Sequence, residues 1–146
     1  AGSASAARRN SLSFQDPAMR SLVIALLALL SLPVVAEDDT WLTRSGYYRV
    51  SYTSDLKPLV INRIHSWTFH VTTPDGDPVE GAIITVTGGM PLHNHGLPTI
   101  PQMTSEVGGG DYRVDGMRFH MNGAWELTVT VDVDGRRDTV VIPLTL

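Results

Sequence analysis

After residue 40, apolar and polar side chains alternate with period two almost without interruption. That spacing sends successive side chains to opposite faces of an extended strand, so one face can be buried while the other meets water. His65, Trp67, Phe69 and Val71 share one face, and Ser66, Thr68, His70 and Thr72 the other. Trp125, Leu127, Val129, Val131 and Val133 form a longer stripe opposite Glu126, Thr128, Thr130 and Asp132. Turn residues punctuate the runs at Pro74-Asp75-Gly76-Asp77-Pro78, Gly108-Gly109-Gly110-Asp111, Asn122-Gly123 and Asp134-Gly135. There Pro presets φ, and Gly, Asn and Asp tolerate φ > 0. Short strands with turns between them predict an all-β antiparallel sandwich or barrel. About seven strands are expected, over 47–53, 62–73, 80–87, 102–107, 110–120, 124–134 and 137–146.

The stretch before residue 37 has a different character. Met19-Arg20-Ser21 is a basic start, Leu22 to Leu30 is apolar, and Val34 and Ala36 are small residues ahead of Glu37-Asp38-Asp39. This is the layout of a secretory signal peptide over 19–36, and its apolar run is short of the roughly 20 residues that span a bilayer. Cleavage is expected after Ala36, with a retained membrane anchor as the alternative. Residues 1–18 read as an upstream extension or as residues added in cloning. The expected organisation is then a 37–56 segment carrying the first strand and a β-sandwich domain over 57–146. Residues 37–146 hold eight basic and fourteen acidic side chains, a net charge of −6. An acidic domain with scattered Lys and Arg has no nucleic-acid footprint. The 146 residues contain no Cys, so an exported domain that could form disulfides uses none, and an ordinary core must hold it together.

A first hairpin turning at 75–78 would pair Val71 with Ala82, Phe69 with Ile84, Trp67 with Val86 and His65 with Gly88. That register puts apolar residues opposite apolar residues. It also puts His65 at the end of the sandwich from which Gly88-Gly89-Met90 departs, and later strands return Asn122-Gly123 to that end.

The segment 88–103 shows no strand periodicity, and irregular segments this long in a small domain are usually functional or disordered. Pro91, Pro98 and Pro101 stiffen it, and it carries Met90, His93, His95 and Met103. Imidazole with thioether, in the absence of thiolate, suits copper: thioether favours Cu(I), and imidazole binds both oxidation states. The candidate ligands are Met90, His93, His95, Met121 and His65, with Met103 in reserve; His120 lies at the same end on the opposite face of its strand. Each has a plainer reading. Met117 and Met121 share the Phe119 face and suit core packing, His65 suits a hydrogen-bonded core histidine or a residue that orients a ligand, and His70 faces solvent. Zinc would want a carboxylate beside the two histidines, and the loop holds none. No Ser-His-Asp arrangement stands out, and Gly108-Gly109-Gly110 precedes a strand rather than the helix a phosphate loop needs.

Taken together, Pro58-Leu59, Asn62, His65-Ser66-Trp67, Pro74-Asp75-Gly76, Gly88-Gly89-Met90-Pro91, His93-x-His95-Gly96-Leu97-Pro98-Thr99, Gly110-x-Tyr112 and Gly116-x-x-Phe119-x-Met121-x-Gly123-x-Trp125 resemble the YtkA-like (FixH-like) periplasmic domains over about residues 57–146. The resemblance implies an immunoglobulin-like antiparallel sandwich, export, and a role in copper handling or oxidase assembly. FixH-like proteins keep a membrane helix, whereas the leader here has the layout of a cleaved one.

The expected function is therefore that of a periplasmic copper-binding protein, a chaperone rather than an enzyme, that hands copper to a periplasmic or membrane partner. The alternative is a non-metal interaction module whose stiff 88–103 loop docks such a partner.

Overall fold

The computed structural model describes residues 39–146, so the leader and the residues before it lie outside the described part. Nine strands form in the order β1 (Trp41–Leu42), β2 (Arg49–Ser54), β3 (His65–Thr72), β4 (Ile83–Met90), β5 (His95–Gly96), β6 (Gln102–Gly108), β7 (Asp111–Met117), β8 (Ala124–Val133) and β9 (Arg136–Thr145). Seven correspond to the expected runs; β1 and β5 are two-residue additions. One sheet has the order β1-β2-β3-β7-β6 and the other β5-β4-β8-β9, with every pairing antiparallel. The fold is the all-β, immunoglobulin-like sandwich. No helix among the described residues is long and apolar enough to cross a membrane.

The core fills the space between the sheets. Trp67, Phe69 and Val71 from β3 and Tyr112, Val114 and Met117 from β7 face Ile84, Val86, Trp125, Leu127, Val129, Val131 and Ile142 from the second sheet, all of them buried. Removing a Leu or Val side chain of this kind from water stabilises the fold by about 1.5–3 kcal/mol. β1 and β2 pair in the same sheet as β3, so residues 41–54 are part of the sandwich.

The expected 75–78 hairpin closes only at its tip, through a Thr72–Pro78 bridge, and the expected pairing of β3 with β4 does not form. The turn is there, with Gly76 N–H donating to Thr73 O and Thr73 N–H to Asp77 O. Beyond it the chain crosses to the other sheet. Val71 pairs with Val50 and Trp67 with Val114, while Ile84 pairs with Val131 and Val86 with Val129. Tyr112 holds this crossover: its hydroxyl donates to Val79 O at 2.6 Å and accepts from Ala82 N–H at 3.0 Å. Asn122-Gly123 likewise lies on a crossover, from β7 to β8, rather than in a hairpin. Gly108-Gly109-Gly110 and Asp134-Gly135 do close hairpins, and all five residues have positive φ.

β4 runs back alongside the direction of β3, so the end holding His65 still receives Met90, and β7 and β8 bring Met117 and Ala124 to that same end.

Candidate functional site

The segment 88–103 is more ordered than its missing periodicity suggested. Gly88, Gly89 and Met90 are the last residues of β4, and the chain turns at 91–94 into β5, pairing Met90 with His95 and Gly89 with Gly96. Asn94 takes the left-handed conformation at φ 53°, which Asn adopts more readily than most residues. His93 N–H donates to Met90 O and Leu97 N–H to Gly88 O, both at 3.0 Å. Gly89 is required by close approach: a Cβ there would come within 2.7 Å of His95 O. Thr99 Oγ1 then donates to Gly116 O at 2.6 Å, tying the rest of the segment to the end of β7.

This hairpin places the two loop histidines on the surface. His93 and His95 are exposed, with ring centres 6.4 Å apart. The His95 ring meets the edge of His120 at 5.8 Å, and His120 in turn meets Trp125 at 5.5 Å. His120 Nδ1 is buried with no hydrogen-bond partner. Trp125 Nε1–H donates to Met121 O at 3.0 Å and so fixes the 121–125 turn against the strand. His95 also lines a shallow cleft of about 380 Å³ with Met90, Asn94 and Glu126. Glu126 reaches the cleft as the β8 partner of Gly89, and supplies the carboxylate that the loop itself lacks.

The other candidates fall in different surroundings. Met90 is at the same end but buried, 2% exposed, with its methyl group under the 121–123 turn, 2.9 Å from where a Gly123 Cβ would stand. Met121 is partly buried against the core. His65 is buried, 9% exposed, and packs on Trp67 and Phe119 at 6.3 and 6.0 Å. Its Nδ1–H donates to Arg63 O at 3.1 Å, and its buried Nε2 has no hydrogen-bond partner. Phe119 and Trp125 stand in the chain of ring contacts between His65 and His120. Met103 does not join the group, because its sulfur accepts the Ile84 N–H at 3.3 Å. Met117 is fully buried core, and His70 is exposed and bound to Asp111 at 2.7 Å.

Two imidazoles on one ion, each nitrogen about 2.0 Å from it, have ring centres roughly 5 Å apart at a tetrahedral angle and about 6 Å apart when nearly collinear. The 5.8 Å spacing of His95 and His120 lies at the wide end of that range, and the 6.4 Å spacing of His93 and His95 lies beyond it. Among the described residues no three His, Asp or Glu side chains converge on one ion position. The donor set of imidazole and thioether without thiolate fits copper in either oxidation state. Sequence reasoning put His120 at this end but not among the ligands, and missed Glu126. The signal for His120 was its place three residues past the end of β7; the signal for Glu126 was the β4–β8 register, which only the fold supplies.

The architecture thus defines a small immunoglobulin-like sandwich with a histidine-bearing hairpin at one end. A family model described as YtkA-like matches residues 46–130, and the chain belongs to that family. Among solved structures, a DUF4426 family protein from Pseudomonas aeruginosa PAO1 is similar, with a TM-score of 0.52 at 17% identity, covering 74% of this chain and 96% of that one. At that identity the likeness is one of fold. No curated protein matches the sequence significantly.

Proposed function

We propose that this protein is an exported copper-binding protein, a chaperone rather than an enzyme, that delivers copper to a periplasmic or membrane partner in copper homeostasis or oxidase assembly. The observation that carries this reading is the run of three imidazoles, His93, His95 and His120, in successive ring contact at one end. Met121 and Met90 lie beside and beneath them, and the buried Nδ1 of His120 has no other partner. His93 and His95 would supply exchangeable ligands on the exposed turn, and His120 a fixed one. His65 would contribute its unpartnered Nε2 or orient the group from behind Phe119. The leader layout over 19–36 supports export to the periplasm.

Copper titration of residues 37–146 tests this, by EPR for Cu(II) and by chelator competition for Cu(I). One equivalent is expected to bind, with affinity lowered at least tenfold by His93→Ala plus His95→Ala and also lowered by His120→Gln. Absence of stoichiometric binding, or binding indifferent to these changes, would overturn the proposal; preference for zinc through Glu126 would reassign the metal.

A second reading keeps the hairpin as a docking element. Leu92 and Ile100 are 88% and 83% exposed, and an apolar groove runs beside the turn between Leu92, Trp125 and Leu144. Under this reading Leu92→Asp abolishes partner capture while the double-Ala histidine variant retains it.

A further inference from the structure

Three connections meet solvent at the histidine end, and each carries an exposed aliphatic side chain. Ile64 stands on the 55–64 connection immediately before β3, Leu92 on the 91–94 turn, and Ile100 on the connection from β5 to β6. Each connection is pinned to its neighbours. Asn62 N–H donates to Phe119 O at 2.7 Å, His93 N–H to Met90 O, and Thr99 Oγ1–H to Gly116 O. Leu42, Tyr47, Ile83 and Val107 are also exposed, towards the far end, so apolar exposure alone does not single out this one.

Charge does. The 55–64 connection adds the exposed Lys57 and Arg63, and Arg118 beside it donates to Asn62 Oδ1 at 3.2 Å. None of these three basic residues is ion-paired among the described residues. The carboxylates of Asp55 and Asp115 are both bound by Arg113, at 2.9 and 3.0 Å, which leaves Glu126 as the acidic residue of this end outside an ion pair. The far end is the reverse. Asp75, Asp77, Glu80, Glu106, Asp111 and Asp134 stand there against Arg44, Arg49 and Arg136, while Arg137 is paired with Asp132. Among the described connections, negative charge therefore gathers away from the histidines.

We propose that the histidine end docks on an anionic phospholipid surface, with Ile64, Leu92 and Ile100 entering the headgroup region and Lys57, Arg63 and Arg118 meeting lipid phosphates. Binding of this kind grows with the apolar area buried and with the attraction of basic residues to anionic lipid. Lys and Arg suit the boundary, because their stems lie along apolar neighbours while the charged heads reach the phosphates. An acidic far end is repelled by the same surface, so attraction and repulsion orient the sandwich alike. The three aliphatic side chains stand on connections of both sheets, spread over the whole end, which matches a continuous plane better than a single cleft. The docking needs no metal and stands apart from the copper reading.

Residues 37–146 form one compact unit that contains all nine strands and the described core, so this part serves for the test. Metal-free, it is mixed with protein-free vesicles of phosphatidylcholine alone or of equal parts phosphatidylcholine and phosphatidylglycerol, and bound protein is read by flotation. Binding to the mixed vesicles is expected, and it should weaken as salt is raised. Leu92→Asp and Ile64→Asp are each expected to lower it at least about tenfold. Lys57→Glu plus Arg63→Glu is expected to do the same, by at least about tenfold. Val107→Asp, at the far end, is expected to change it by no more than about twofold. These positions are all exposed, and circular dichroism checks that each variant is folded. The chain has no Cys, so Leu92→Cys and Val107→Cys each give one site for an environment-sensitive fluorophore. Vesicles should shift the emission of the first to the blue and leave the second unchanged. No binding to the mixed vesicles, equal binding to phosphatidylcholine alone, an equal loss in Val107→Asp, or an equal shift at both labels would overturn the proposal. Capture of a protein through Leu92 without vesicle binding would also overturn it, in favour of the hairpin as a protein-docking element.

Discussion

Gly123 and Met90 show how closely the two turns at the histidine end are fitted. Gly123 has φ 130°, where an L side chain is strained, and an added Cβ would stand 2.9 Å from Met90 Cε. The thioether is flexible and can retreat, but only by moving within a packed core. Gly123→Ala is therefore expected to destabilise the domain by about 1–3 kcal/mol, from backbone strain with some overpacking, read as a lower urea midpoint at unchanged m-value. Met90 was legible as a residue of this end, but its burial was not. Composition and spacing say that a Met stands beside a His pair; only the approach of the 121–123 turn says which way its sulfur is enclosed. His65 was better marked, since its place on the Trp67 face already implied burial, and the Arg63 carbonyl then settles which nitrogen carries the proton.

At the scale of elements, the β4–β5 hairpin decides where His93 and His95 stand. Its tightest constraint is Asn94 at φ 53°. Asn94→Gly should be tolerated, whereas Asn94→Val should cost about 1–2 kcal/mol, since a β-branched residue resists the left-handed region. Hydrogen exchange reads this locally: the His93 and Leu97 amides, bonded to Met90 O and Gly88 O, should exchange roughly tenfold faster in the Val variant by the free-energy equivalence of about 1.4 kcal/mol per decade. The strands themselves were largely legible from period-two alternation, but their partners were not. Trp67-Phe69-Val71 and Ala82-Ile84-Val86 have matching parity whether they hydrogen-bond in one sheet or face each other across the core. Parity reports which side chains point inward and nothing about which backbone lies alongside. The end-of-sandwich placement of His65, Met90 and Met121 survived that misassignment because a hairpin and a crossover between facing sheets both reverse the chain direction. The hairpin at 91–94 escaped notice because β5 is only two residues long, too short to show alternation.

At the scale of the whole sandwich, a buried carboxylate helps to join the two sheets along one side. Asp138 on β9 is 4% exposed and accepts hydrogen bonds from the backbone N–H groups of Ser45, Tyr47 and Thr139, so the 43–48 turn between β1 and β2 is held to the opposite sheet. Burial alone raises its pKa and is the largest single influence, but the hydrogen bonds from Thr43, Ser45, Thr139 and Tyr47 together outweigh it and lower the pKa from 3.8 to about 2. A carboxylate whose pKa is depressed in the folded state stabilises the fold above its unfolded pKa and loses that contribution as pH falls through the folded value. The window is therefore from about pH 4 down to about pH 2, and the contribution at neutral pH is on the order of 2 kcal/mol. Acid titration of urea stability should show this loss in the native chain. Asp138→Asn should lower stability at pH 7 by a similar amount and flatten the decline between pH 4 and 2. A variant as stable as the native chain at pH 7, with an unchanged acid limb, would mean that the first sheet is held to β9 by packing and by the Arg44 N–H to Thr139 O and Tyr48 O–H to Arg136 O bonds. The histidine end is remote from this contact along β9, whose Leu144 lies beside Trp125. If the protein binds copper as proposed, its affinity at pH 7 should therefore be the same in Asp138→Asn as in the native chain.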